Sequence, residues 1–597
     1  MTFRLRAVRA FALLVGFFLM GVVLLTAMAV LDWLVLTRLY SARAAWVEGT
    51  LLTVTFLLAA AILRGMFAFL RAGRLPPVTD AVPVAPEDQP ELWEQIRAAA
   101  EATGQRPPDE LYLVADVNAG VSEQSRLLGL LPGRRLMLLG LPLLAGLTAA
   151  QLRAVLVHEF GHFSNLDTRL GAVTMRGRKA LIHTVEAFQD GSTHFHYLIG
   201  VLYVGYARMF LRTTQSVARH QELAADQMAA RHAGRDATAS ALRALPVLAS
   251  AYAHYLETYA SMGGSQEAEE GAGGVGGAEA AGEALPPVGE VYGGFRRLLA
   301  ARTGERLTAL AAGGRPPRPH PYDSHPPLAE RIALVEKLPT DAEPHPRDHT
   351  RPDPSVADEP PALTLLRDTD HVFAALEART LPPAVAQLPR RTWDELTMAR
   401  AISDAEGWSR PLRVAVARTL RSAAQKMDGT ATVRRDTTTS GTDGTAGPAG
   451  TAGTAGTAGT ANSPLPGLEE ILDAFDRGLL WMEVADRMPK PYQAARLTGP
   501  SARNFIRPRI FDGLAGLIHL RLAESGRAQP DIAWSGQPGL VLPESWEKGM
   551  DEALDAAVAD EPDTAPLRAL LAAPHPLTPA PPETPPTSAP PSPPPPA

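Results

Sequence analysis

Two long apolar runs open the chain. Residues 11–31 form 21 positions without a charge, and residues 49–70 form 22 positions interrupted only by Arg64. About 20 apolar residues cross a hydrocarbon core of about 30 Å as a helix, so the pattern predicts an N-terminal transmembrane helical hairpin over 1–74. The first run is too long for a typical signal-peptide core and has a second run close behind it, which argues against a cleaved leader. Arg4, Arg6 and Arg9 precede the first run and Arg71 and Arg74 follow the second, against Arg38 and Arg43 in the connecting loop. That bias places both ends in the cytoplasm, with everything after residue 75. A third run, 197–211, is 15 residues long and contains Arg208. It is short for a span and reads as a buried or interface-lying helix.

Beyond the hairpin the periodicity changes. Residues 75–89 are Pro-rich and read as a linker. Leu92, Trp93 and Ile96 recur at helical spacing within 90–104. Residues 110–120 alternate as a strand, and 125–140 read as two strands about the turn signal Pro132-Gly133. Thr148 followed by Gln151 is a capping box and opens a helix. Further helices are expected over 210–233, ending before Gly234, and over 236–262. The fold class is therefore mainly α (α+β), a helical domain with a small β-sheet over 75–340.

Composition divides the remainder. Residues 263–284 are low-complexity, Gly-, Ala- and Glu-rich, and read as a disordered insertion. Residues 341–361 are rich in Pro, Asp and His and read as a boundary. A mostly helical region, 341–434, is followed by a Thr/Ala/Gly linker, 435–463. A helical C-terminal region, 464–573, leads to a Pro-rich tail, 574–597, of polyproline or disordered character. Hydrophobic residues make up 46% of the 597 and charged residues 20%, which is ordinary for a folded protein. A net charge of -7 gives no electrostatic reason to expect nucleic acid as a partner. There is no cysteine, which excludes disulfides, thiolate nucleophiles and Cys-held metals; any metal must be held by His, Asp or Glu.

The candidate chemistry lies in "VLVHEFGHFSNLD", 155–167. His158 and His162 are four apart on the helix opened by Thr148, so both rings can address one metal ion. Glu159 lies beside that ion and not on it. A catalytic zinc site needs a third protein ligand and an open position. Glu222 and Asp226, again four apart, supply a candidate ligand and a carboxylate that can fix a histidine tautomer. The competing reading is a solvated acidic face, weakened by Ala224, Ala225, Ala229 and Ala230 around the pair, which suggest close packing. His183, His194, His196, His220 and His232 read as surface or core residues.

H-E-x-x-H followed by E-x-x-x-D after a membrane hairpin resembles the HtpX-type membrane zinc peptidases, relatives of the CAAX prenyl endopeptidases. The resemblance spans residues 75–340. "NAG" at 118–120 is similar to the family's Asn-Ala motif on an edge strand. "LGLPLLAGLTAAQLRAVLVHEFGH" is similar to its approach to the zinc helix, and "SHPPLAERI" to its His-Pro…Arg motif. The resemblance implies a zincin-like domain in which His158, His162 and Glu222 bind one zinc ion per chain. It implies Glu159 as general base and acid, Asp226 as the group that orients a zinc ligand, and Asn118 and Ala119 as substrate-binding positions. It implies His325 and Arg331 near the scissile carbonyl, with a structural histidine and an internal salt bridge as their respective alternatives. This chain departs from the pattern at Gly120, where the family has a large residue, in the insertion 263–284, in having fewer membrane spans, and after 341, where no counterpart is recognised.

The implied function is an integral-membrane zinc endopeptidase of the cell membrane, multi-pass, with a cytoplasmic peptidase domain. Its expected partners are polypeptide substrates, membrane or misfolded proteins among them, and the lipid bilayer. The Pro-rich tail is a candidate for recruiting an aromatic-grooved partner. The alternative is a non-catalytic membrane adaptor on a peptidase fold, which predicts a missing ligand or base; none is missing. Prenyl-protein processing is a narrower substrate choice with no sequence feature in its favour.

Overall fold

The computed structural model describes residues 3–38, 78–126, 131–164, 194–263, 284–313, 326–339, 359–436, 464–494 and 496–573 except 498, with a few positions between 52 and 63. The second apolar run, 49–70, therefore lies mostly outside the described residues. The insertion 263–284, the linker 435–463 and the tail 574–597 lie outside them almost wholly. The chain divides into two compact units, Met1–Arg390 and Arg391–Ala597. The sequence places a boundary at 341; the compact units meet at Arg390.

In the first unit, helix α1 spans Phe3–Arg38, 36 residues that contain the uncharged run. Taken over the residues whose side chains are described, no helix is long and apolar enough to cross a membrane. Within 11–31 of α1 the side chains are described only in part, so the hairpin expectation rests on the sequence. Thr55 Oγ1 donates to Asp32 Oδ1 of α1 at 3.0 Å, which ties a position in the second run to the end of the first.

The sheet has four strands: β1, Val82–Val84; β2, Glu110–Val114; β3, Ala119–Arg126; and β4, Leu131–Gly140. Their order is β1-β2-β4-β3, so β3 is an edge. β2 and β4 are parallel, while β1 pairs β2 and β3 pairs β4 antiparallel. Alternation along β2 and β4 buries Leu111, Leu113, Met137 and Leu139 on the core. Helix α2, Pro90–Ala102, buries Leu92, Trp93 and Ile96, and Trp93 Nε1 donates to the Val84 carbonyl at 3.1 Å.

Two local expectations change. The alternating stretch 110–120 is broken: the chain leaves β2 after Val114 and re-enters the sheet as β3 at Ala119. Pro132-Gly133 lies inside β4 and not at a turn. β2 pairs β4 only from Leu136 onward, so Pro132 has no neighbour on that side and its missing N–H breaks no ladder bond there.

After β4 come α3, Leu141–Gly146, and α4, Ala149–Ser164. The capping box at the start of α4 is formed: Gln151 N donates to Thr148 Oγ1 at 3.3 Å, and Thr148 N donates to Gln151 Oε1 at 3.0 Å. Leu152, Leu156, Val157 and Phe160 are buried, so α4 runs through the core. Helix α5, His194–Ala233, is 40 residues long and starts well before the expected 210. It takes in the apolar run 197–211, where Tyr206 donates to the Leu13 carbonyl of α1 at 2.5 Å. Helix α6, Arg235–Tyr255, continues as a π-turn, Leu256–Ala260. Three short helices follow between 290 and 313, then α7, Leu328–Glu336, and α8, Thr369–Thr380.

Helix α8 is fastened by a buried carboxylate. Glu377 accepts the Gly289 and Val291 amides at 2.9 and 3.2 Å and pairs with Arg390. Burial pushes its carboxyl above the usual range, against the pull of Arg390 and the two amides. Replacing Glu377 with Ala leaves Arg390 and two amides without this partner. We expect the first unit to lose about 3–5 kcal/mol, read as a lower unfolding midpoint; Glu377→Gln, which still offers an acceptor, should lose less.

The second unit is helical as expected, with one small addition, the two-stranded sheet of β5, Gln529–Asp531, and β6, Gly539–Val541. Its long helices are α9, Trp393–Asp436, and α11, Pro500–Glu524, with α10, Leu468–Asp476, between them in sequence. Gly513 and Gly516 let α11 approach Leu412 and the Ala405 carbonyl of α9 closely, since a Cβ at Gly516 would stand 2.6 Å from that oxygen. Ile471, Phe475, Ile510, Leu514, Trp546 and Leu554 fill the core.

Candidate metal centre

The site is made where α4 crosses α5. A Cβ on Gly161 would stand 3.2 Å from the Ala225 Cα, so the two helices are nearly in backbone contact there. Ala225 and Ala229 are buried on this stretch of α5, while Ala230 packs away from α4 against Leu242 and Val335. The close approach sets His158 and His162 of α4 against Glu222 and Asp226 of α5. Both carboxylates are buried, which removes the reading of a solvated acidic face.

The contacts define a donor set. His158 Nδ1 lies 3.1 Å from Asp226 Oδ1, and its Nε2 lies 3.7 Å from Glu222 Oε2. His162 Nε2 lies 3.8 Å from Glu222 Oε1. The two rings are 4.7 Å apart at near right angles. A hydrogen bond from Nδ1–H to Asp226 keeps the proton on that nitrogen and leaves Nε2 as a lone pair. Two ligands of a tetrahedral zinc ion at about 2.0–2.1 Å stand about 3.4 Å apart, close to the separations seen. Ligand atoms of His158, Glu159 and His162 lie within 4.8 Å of one another, so these three are grouped closely enough to address one metal ion, and Glu222 faces the same two imidazole nitrogens. The residues present fit a metal ion on His158 and His162, with Glu159 and Glu222 both near enough to complete the set.

Asp226 is itself held. Arg331 of α7 donates to both of its oxygens, Nε to Oδ2 at 2.8 Å and Nη2 to Oδ1 at 2.7 Å. Its Nη1 lies 3.7 Å from Glu222 Oε2. Burial would raise the Asp226 carboxyl, but the hydrogen bonds from Arg331 and His158 overcome it and hold the group at about 2. Burial likewise opposes the charge on Arg331, and Asp226 overcomes it and raises the guanidinium. The structure thus places Arg331 behind the ligands, in the salt bridge inside the domain. His325 lies outside the described residues.

Ala119 begins the edge strand β3, and Asn118 immediately precedes it. Gly140 N donates to the Asn118 carbonyl at 2.8 Å, and a Cβ at Gly140 would run into the Asp116 carbonyl oxygen. Glycine at 140 therefore lets the 116–118 loop cross over the end of β4 and deliver Ala119 opposite Leu139. Midway along β4, opposite Glu123 of β3, Arg135 lies over the ring of Phe163, the residue after His162, at 4.7 Å. The sequence does not single out Arg135: its side chain is buried, but it stands in a strand with no apolar–polar alternation that would mark it.

Residues 86–338 match the model of peptidase family M48. That segment holds every described residue of the site, and the match supports a metallopeptidase. It covers less than half of the chain and none of the second unit. No curated protein and no solved structure matches the chain.

Proposed function

We propose that the chain is an integral-membrane, zinc-dependent endopeptidase of the HtpX type, acting on unfolded or misfolded polypeptides, membrane proteins among them. The observation that carries the peptidase reading is the donor set itself, two histidines and a buried glutamate with a second glutamate beside them, inside the M48 segment. The membrane part rests on the uncharged run within α1 and on its repeat over 49–70.

Zinc supplies Lewis acidity at such a site, acidifying water and polarising a carbonyl. Glu159 takes a proton from the attacking water and returns it to the leaving amine. Asp226 fixes the His158 tautomer, and Arg331 fixes Asp226. In this reading Arg331 is a positioning residue. β3, the end strand of the sheet among the described residues, would offer backbone hydrogen bonds to an extended peptide beginning near Asn118 and Ala119, a mode tolerant of sequence. His325 belongs to the same proposal as a group beside the scissile carbonyl. The cytoplasmic placement of the peptidase unit and a partner for the Pro-rich tail are parts of the reading that the sequence alone supports.

The test is hydrolysis of an unfolded protein such as casein by the detergent-purified full chain. We expect cleavage that stops with a chelator and returns with added zinc. Cleavage indifferent to chelation would contradict the proposal.

A further inference from the structure

The family match stops at residue 338, yet the compact unit around the metal helix runs to Arg390. The described part of the difference is residues 359–390, and its first residues contact the start of α4. The Pro360 carbonyl accepts the Ala149 amide at 2.9 Å, and the Ala362 amide donates to the Leu147 carbonyl at 2.8 Å. Together they form an antiparallel bridge between Thr148 and Pro361. The first amides of a helix have no partner within it. Ala149 is the first residue of α4, and Pro360 supplies the missing acceptor. One turn on, Arg153 faces Glu359 at 4.0 Å.

The rest of the segment is fastened elsewhere on the same unit. Arg367 exchanges two hydrogen bonds with the Gln89 side chain, its amide donating at 2.6 Å and its carbonyl accepting at 2.9 Å. Phe373 and Leu376 of α8 are buried, and Glu377 holds the 289–291 turn and Arg390. The segment is thus anchored on α2 and on the 285–296 region while its first residues grip the helix that carries His158 and His162.

We propose that residues 359–390 are an in-chain clamp that positions the metal helix, so that the catalytic unit of this protein extends to Arg390. A helix transmits displacement along its axis, and His158 lies nine residues beyond Ala149, about 14 Å along it. A shift at the clamped end reaches the ligands. Pro360 and Ala362 act on the site only through α4, which makes them positioning residues. The zinc part of the proposal rests on the metallopeptidase reading; the mechanical part does not.

The experiment is amide hydrogen exchange on the full chain, with metal removed, in wild type, Ala362→Pro and Arg153→Gln, paired with zinc titration of the same samples. Ala362→Pro deletes the amide that Leu147 accepts. We expect the amides of residues 149–153 to exchange about tenfold faster in it, the scale of one lost hydrogen bond, with zinc bound correspondingly more weakly. Arg153→Gln, a change on a partly exposed pair, should give the same shifts at a few-fold. Wild-type exchange in both variants would overturn the clamp, and faster exchange with unchanged zinc affinity would overturn its role in positioning the metal helix. If Ala362→Pro loses its helical circular dichroism, Arg153→Gln decides alone. Faster exchange in a chain whose wild type binds no zinc would leave the clamp on α4 standing, overturn its role in placing zinc ligands, and sink the metallopeptidase reading.

Discussion

Glu159→Gln is expected to lower hydrolysis of an unfolded protein by about 10²–10⁴-fold, the usual worth of a positioned acid–base group, with zinc content unchanged. The two effects separate if, as proposed, His158, His162 and Glu222 hold the metal and Glu159 serves the water; a loss of zinc in the variant would instead make Glu159 a ligand. Gln keeps the size and the hydrogen-bonding end but cannot accept the proton from water. The loss should appear in kcat more than in KM, since the interaction is made only as the proton moves. Full activity in a zinc-loaded Glu159→Gln chain would remove Glu159 from the reaction.

Arg331→Ala is expected to destabilise the first unit by about 3–5 kcal/mol, the cost of breaking a buried ion pair from one side. Arg331 is 11% exposed and Asp226 2%. Without the guanidinium, the Asp226 carboxylate stays buried with His158 alone, and the His158 ring loses its fixed backing. Arg331→Lys should recover little, because an ammonium cannot donate to both oxygens in the plane of the carboxylate. The check is the unfolding midpoint of each variant together with its zinc affinity. A midpoint and an affinity both at the wild-type level would detach Arg331 from the site.

Much of this site is legible in the sequence because it is local. His158 and His162, Glu222 and Asp226, and Thr148 and Gln151 are each pairs set by helical spacing, and spacing of three or four residues survives without knowledge of the fold. The Leu92, Trp93 and Ile96 face of α2 is legible for the same reason. Arg331 is harder: its partner Asp226 lies 105 residues away, and nothing local separates a guanidinium aimed at substrate from one aimed at a carboxylate. The early start of α5 is hidden by His194, His196 and Arg208, which break the apolar pattern of a helix that continues through them. The segment 359–390 is the least legible. Its grip on α4 is made by backbone groups of Pro360 and Ala362, and its polar anchors are the Arg367 backbone on Gln89 and the buried Glu377, none of which leaves a periodic signature. Pro132-Gly133 misleads because a proline is tolerated in a strand wherever one side has no partner.

The most direct measurement is the metal content of the purified full chain, wild type beside Glu222→Ala. One zinc per chain is expected in the wild type, with affinity lowered by orders of magnitude in Glu222→Ala, since two histidines alone leave the tetrahedral set short of a protein ligand. Zinc held equally well by Glu222→Ala, or no zinc in the wild type, would contradict a metal centre built from His158, His162 and Glu222.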